Sequence, residues 1–253
     1  MIVSASRRTD IPAFYSDWFF RRLEEGYLYV KNPMNPRQVS KILLNQDTVD
    51  CFVFWTKDPG PMMERLSVLD RLGYPYYFQF TLTPYGTDVE PGLPHKNELV
   101  RTFRELSCRL GPERVIWRYD PVLLSPSYTR EYHFQWFSRL CGSLEGYTHT
   151  CVISFLDIYR KIKGRMEQIQ PRTMTGSHFC RYCYANFSPA QVEANRRMHD
   201  PESPLLCGRL TGEERITVRE MKSAVRPADD GQMRLGFHDA ELMRLTGKPG
   251  RII

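Results

Sequence analysis

The sequence contains no uninterrupted run of the roughly 18 apolar residues needed to cross a bilayer, because charges or prolines break every hydrophobic segment. A membrane-spanning protein is therefore not expected. The opening residues, Met-Ile-Val-Ser-Ala-Ser-Arg-Arg, lack the basic region and apolar stretch of a secretory signal and read as a first strand. Cysteine is sparse. Seven, an odd number, are spread through 253 residues, a usage that fits reduced thiols in a cytoplasmic protein better than a disulfide framework. Internal repetition is also missing: Arg-Leu-Thr-Gly recurs at 209–212 and 244–247, too short a match to define a repeat.

What is present is an ordinary globular balance, 42% hydrophobic and 25% charged, which argues for a folded core. A net charge of +6 is compatible with phosphate, nucleic acid or an anionic cofactor and equally with a solvated basic surface. Five apolar or aromatic runs, at residues 2–6, 51–55, 76–83, 114–119 and 151–156, read as strands. Helical spacing appears at 14–23, 62–72, 98–110 and 129–140. Residues 28–30 and 39–44 flank Asn32-Pro33-Met34-Asn35-Pro36, a turn-forming composition that suggests a hairpin excursion.

Strands that are apolar on both faces need cover on both sides, and helices between consecutive strands supply it in a parallel sheet. The expected fold is α/β, a TIM-like (β/α) barrel or partial barrel over residues 1–165. Five strands fall short of eight, so an open barrel is allowed and a doubly wound sheet is the alternative. Residues 166–253 read as an irregular cysteine-containing segment and tail packing on that core, with a helix at 189–197 and turns at 201–204.

Active sites of parallel α/β folds form at the carboxyl ends of the strands. The sequence places Arg7, Arg8, Thr9 and Asp10 after the first run, and Thr56 and Lys57 after the second. Thr81 and Thr83 close the third, Arg118 and Asp120 the fourth, and Asp157 the fifth. The cationic members and threonines suit an anionic ligand; Asp10, Asp120 or Asp157 suits a proton acceptor. The plainer reading of any one of them is a helix-capping Asp or a solvated cation. Trp55, Phe78, Phe80, Trp117 and Phe155 are expected in the core, and Cys51, Cys108, Cys141 and Cys151 as small buried hydrophobes.

Cys180 and Cys183 form a CxxC pair, a spacing that grips one metal ion or neighbouring irons of one cluster. For zinc, Cys207 with His178 or His199 is the nearby supply of further ligands. A thioredoxin-like role is disfavoured because no strong strand precedes Cys180.

Several segments together resemble the domain of unknown function 1848 family. They are Ser4-Ala5-Ser6-Arg7-Arg8-Thr9-Asp10-Ile11-Pro12, Asn32-Pro33-Met34-Asn35-Pro36, Phe54-Trp55-Thr56-Lys57, Gln79-Phe80-Thr81-Leu82-Thr83-Pro84-Tyr85-Gly86, Arg118-Tyr119-Asp120-Pro121 and Cys180-Arg181-Tyr182-Cys183-Tyr184-Ala185-Asn186. The family's terminal cysteines are similar to those of radical S-adenosylmethionine enzymes, in which a CxxxCxxC motif holds a [4Fe-4S] cluster and the open iron takes the cofactor. The resemblance implies Cys180 and Cys183 as the second and third ligands. The first position of the motif falls on Gly176, and Cys207 is the candidate third thiolate.

The leading expectation is thus an iron–sulfur-associated enzyme acting on an anionic small molecule rather than nucleic acid. Arg7, Arg8, Thr9, Thr56, Lys57, Thr83 and Arg118 would bind the anion, and Asp10, Asp120 and Asp157 would do the proton work. The alternatives are a cluster-free barrel hydrolase or lyase, and a zinc-bearing module that contacts nucleic acid.

Overall fold

The computed structural model describes residues 1–6, 9–156, 189–220 and 223. In chain order these form β1 (Ile2–Ser4), α1 (Ile11–Phe14), α2 (Ser16–Glu25), β2 (Tyr27–Asn32), β3 (Asn35–Leu43), β4 (Cys51–Thr56), α3 (Gly60–Met63), α4 (Leu66–Arg71), β5 (Tyr76–Thr81), α5 (Lys96–Leu110), β6 (Val115–Val122), α6 (Arg130–Leu144), β7 (Cys151–Phe155), α7 (Pro189–Arg197) and β8 (Arg215–Val218). Each of the five expected strands is present, in a parallel sheet ordered β1-β4-β5-β6-β7.

Among the described residues strand order follows chain order without reversal, so the switch point that a doubly wound sheet requires is not seen there. A closed TIM barrel is not observed either. The sheet is open, with β1 and β7 at its two edges among the described residues.

The period-two geometry of strands decides which side chains meet the helices. Phe52, Phe54, Phe78, Phe80 and Trp117 are all at most 2% exposed and form one face. Phe19 of α2 packs edge-on against Phe52 and Phe54, each at 5.3 Å. Phe103 of α5 meets Phe80 at 5.1 Å, and Phe137 of α6 stacks on Trp117 at 5.1 Å. Burying one such ring contributes about 1.5–3 kcal/mol, so this aromatic seam is the main adhesive between helices and sheet.

The alternate residues lie on the opposite face, where Trp55 is 39% exposed. Trp55 is therefore not the core residue that its apolar neighbours suggest. Phe155, also expected in the core, is 72% exposed on the edge strand β7, which has a sheet neighbour on one side only. Among the described cysteines only Cys51 is buried; Cys108, Cys141 and Cys151 are exposed, because they sit on the outer faces of α5 and α6 and on the edge strand. All five described cysteines are free thiols.

The expected helix at 62–72 is two short ones, α3 and α4, separated at Glu64 and Arg65. β6 continues through Asp120-Pro121, where a stop is expected from sequence, to Val122. Its pairing with β7 shifts register between Tyr119 and Val122, so the missing N–H of Pro121 falls at an irregularity in the ladder.

The excursion after α2 is an antiparallel hairpin, β2 with β3, whose turn is held by Asn32 and Asn35 side chains accepting from the backbone N–H groups of Met34 and Arg37. β8 pairs parallel with β3 to complete a second, three-stranded sheet. Two further bonds fasten this C-terminal stretch: the Trp18 indole N–H donates to Ser203 O at 2.8 Å, and Tyr29 N–H to Pro204 O at 2.9 Å. Arg22, fully buried, makes a bidentate pair with Glu25 at 2.7 Å and donates to Glu202 O at 3.2 Å. Residues 199–220 therefore dock on α2 and the hairpin. No helix among the described residues is long and apolar enough to cross a membrane.

Candidate functional site at the carboxyl ends of the central strands

Two polar clusters lie at the carboxyl end of the sheet. The first is built around Asp10 and Glu90. Asp10 caps α1, its Oδ1 accepting from Ala13 N–H at 3.1 Å, as the plainer reading of an aspartate before a helix expects. Its Oδ2 accepts from Lys57 N–H at 2.8 Å, and the Thr56 hydroxyl bonds to the same carboxylate. One side chain thereby ties the end of β1 to the end of β4. The carboxyl group lies deep beneath the rim although the residue keeps some exposed surface, and burial pushes its pKa up to about 6 against the pull of the bonded N–H groups.

Lys57 continues to Glu90, its Nζ lying 2.7 Å from Oε1. The Thr83 hydroxyl donates to the same oxygen at 2.8 Å, and Lys96 Nζ donates to Oε2 at 2.9 Å. Glu90 is 2% exposed, so both of its oxygens are satisfied inside the protein by two ammonium groups and a hydroxyl. Neither Glu90 nor Lys96 is apparent from the sequence. Glu90 belongs to the irregular stretch between β5 and α5, and its partners come from three different places in the chain.

The second cluster stands on the open face. Arg118 of β6 donates from Nε to Asp120 Oδ2 at 3.1 Å and also from Nη2 to that oxygen. Its Nη1 donates to Gln79 Oε1 at 2.6 Å. The guanidinium lies over the Trp55 ring, 4.3 Å from its centroid, and the Ser154 hydroxyl donates to Asp120 Oδ1. Register explains the grouping: Trp55 pairs with Gln79, Thr81 with Arg118, and Arg118 with Val152, which puts these side chains on adjacent strands of one face. Gln79 and Ser154 were legible in principle, as polar residues alternating with buried ones in β5 and inserted in β7.

A tyrosine layer fixes the loops above both clusters. Tyr85 OH donates to Pro121 O and accepts from Leu123 N–H, each at 2.6 Å; Tyr128 OH bonds Asp88 at 2.7 Å; and Tyr132 OH donates to Pro84 O at 2.9 Å. Buried His133 donates from Nε2 to Leu123 O at 2.8 Å, which leaves Nδ1 to accept from Tyr119 OH at 2.8 Å. The loop after β5 and the loop after β6 are thus braced against each other.

The structure therefore brings Asp10, Thr56, Lys57 and Thr83 into one cluster and places Arg118 and Asp120 in the other, with Thr9 partly buried beside Asp10. Lys57 and Arg118, read from sequence as anion-binding cations, both carry internal carboxylate partners. The carboxylates of Asp10 and Asp120 are likewise engaged. Arg7, Arg8, Asp157, Cys180 and Cys183 lie outside the described residues.

Cys207 belongs to the segment docked on α2 and the hairpin. Its thiol donates to Asn195 O at 3.2 Å, and burial pushes its pKa up. A cysteine ligates a cluster or zinc as its thiolate; among the described residues no group of three His, Cys, Asp or Glu side chains could hold a metal ion, and Cys180 and Cys183 lie outside them.

Searches of curated proteins and of solved structures return no significant match. The model of one protein family does match, over residues 2–178, a span that takes in the whole five-stranded sheet and both polar clusters. The chain belongs to the DUF1848 family, a domain of unknown function.

Proposed function

We propose that this chain is an enzyme whose anionic small-molecule substrate binds on the open face of the sheet, at the carboxyl ends of β4 to β7, with Arg118 as the recognising group. The observation that carries this reading is the state of Arg118: Gln79, Asp120 and the face of Trp55 hold its guanidinium in one orientation beside an exposed aromatic surface. A pre-oriented planar cation loses little entropy when it engages a carboxylate or phosphate. Five parallel strands in chain order, with an aromatic helix-facing side and with Gln79, Arg118, Asp120 and Ser154 on the opposite side, also support a partial (β/α) barrel whose inner wall would be this open face.

The test is calorimetric titration with inorganic phosphate and a series of mono- and dicarboxylates. The expected result is binding that Arg118→Gln abolishes and that Arg101→Gln, on an exposed part of α5, leaves unchanged. Binding insensitive to Arg118→Gln, or no binding by any anion, would remove the reading. The resemblance of Cys180 and Cys183 to cluster-binding cysteines supports an iron–sulfur association of the same enzyme. Anaerobic reconstitution followed by iron and sulfide analysis of the wild type and of Cys180→Ser checks that separately, and no iron in the wild type would end it.

A further inference from the structure

Arg118 and Asp120 project from the same face of β6, two residues apart, and each leaves part of its bonding capacity unused. A guanidinium has five N–H donors. Asp120 takes the Nε and one Nη2 donor, and Gln79 takes one on Nη1, so each Nη nitrogen keeps an N–H group that is unassigned among the described residues. Asp120 Oδ1 receives the Ser154 hydroxyl, and a carboxylate oxygen has a second lone pair to offer. The two side chains are only 13% and 21% exposed, so a ligand meets them with little competing water.

Charge balance then selects the ligand. A simple anion meets a guanidinium whose charge Asp120 partly offsets, and is held more weakly than a ligand that also answers that carboxylate. A ligand carrying an ammonium next to its carboxylate suits both ends of the pair: the carboxylate goes to the Nη groups of Arg118 and the ammonium to Asp120 Oδ1. We propose that Arg118 and Asp120 form a receptor for a zwitterionic α-amino-acid group, with the exposed surface of Trp55 beside it for the remainder of the ligand. This inference rests on the reading of the open face as the substrate site and narrows the substrate class from anion to zwitterion.

The experiment screens the proteinogenic amino acids by ligand-observed NMR against the full chain. Calorimetry then compares the best binder with its des-amino acid and its decarboxylated amine. The amino acid is expected to bind about 10-fold or more tightly than either fragment, the worth of one charge-assisted hydrogen bond. Asp120→Asn is expected to bring the amino acid and the des-amino acid to within about 3-fold of each other. Because the ligand comparison is made on the wild type, it stands even if the variant fails to fold. Equal affinity for the des-amino acid overturns the zwitterion and leaves the anion site intact. Equal affinity for the amine, or no binding by any amino acid while carboxylates do bind, also overturns it. Failure of amino acids and simple anions together brings down both readings.

Discussion

Glu90 and Lys57 form an ion pair of 2.7 Å at the carboxyl end of the sheet, and Glu90 is 2% exposed there. Lys96 and Thr83 complete its surroundings. A carboxylate taken this far out of water holds its charge only because two ammonium groups and a hydroxyl meet it. The cluster joins the end of β4, the segment after β5 and the first residue of α5.

Glu90→Ala is expected to destabilise the protein by about 3–5 kcal/mol, the cost of breaking a buried pair and leaving its partners uncompensated. Urea denaturation would measure it. A loss below about 1 kcal/mol, the range of surface pairs, would mean that the cluster is solvated in solution.

Asp10 gives the protein a pH dependence of unusual sign. Its folded pKa of about 6 lies above the ordinary 3.8, so between those values the folded state binds the proton more tightly than the unfolded chain. Its contribution to stability therefore rises as pH falls through about 6 and is complete below 3.8. Relative to Asp10→Asn, the wild type should gain stability between about pH 7 and about pH 4, by up to about 3 kcal/mol. Urea midpoints of the two proteins across that range give the comparison, and a gain in the opposite direction would show that the N–H bonds to Asp10 outweigh its burial.

Tyr119→Phe removes the only hydroxyl that donates to His133 Nδ1 among the described residues. An abandoned acceptor in a buried site costs about 1–3 kcal/mol. The change should appear as a lower thermal midpoint, with no change in secondary structure by circular dichroism.

Trp18→Phe keeps most of a buried ring and deletes the donor to Ser203 O. Amide exchange should then accelerate at Tyr29, whose N–H bonds Pro204 O, and along β8, while the five-stranded sheet keeps its protection. Acceleration spread evenly over both sheets would contradict a local docking role.

The strands of the parallel sheet were legible because each is a short apolar run with a turn on either side, and the hairpin because asparagine and proline mark its bend. At the candidate site, Asp10, Lys57, Thr83 and Arg118 could be found from one rule, polar residues at strand ends. Glu90 could not, because the partners that compensate its buried charge stand at other positions of the chain. Trp55 misled for a related reason: its neighbours in β4 are apolar on both faces, and nothing local reveals that its own position opens onto Arg118. Closure of the sheet was also beyond the sequence, since five strands are compatible with either an arc or a cylinder.

The pairing of β3 with β8 has a consequence for synthesis. Once β4 has paired with β1, the five-stranded sheet adds β5, β6 and β7 in the order they are made, so it can assemble as the chain leaves the ribosome. The hairpin has no such luxury: Tyr29 waits for its acceptor Pro204 until most of the chain has been made, and β8 is made later still. Until then the outer margin of β3 is a bare template for pairing with other nascent chains. Lys41 and Arg37 in that strand supply the like-charge repulsion that discourages such encounters.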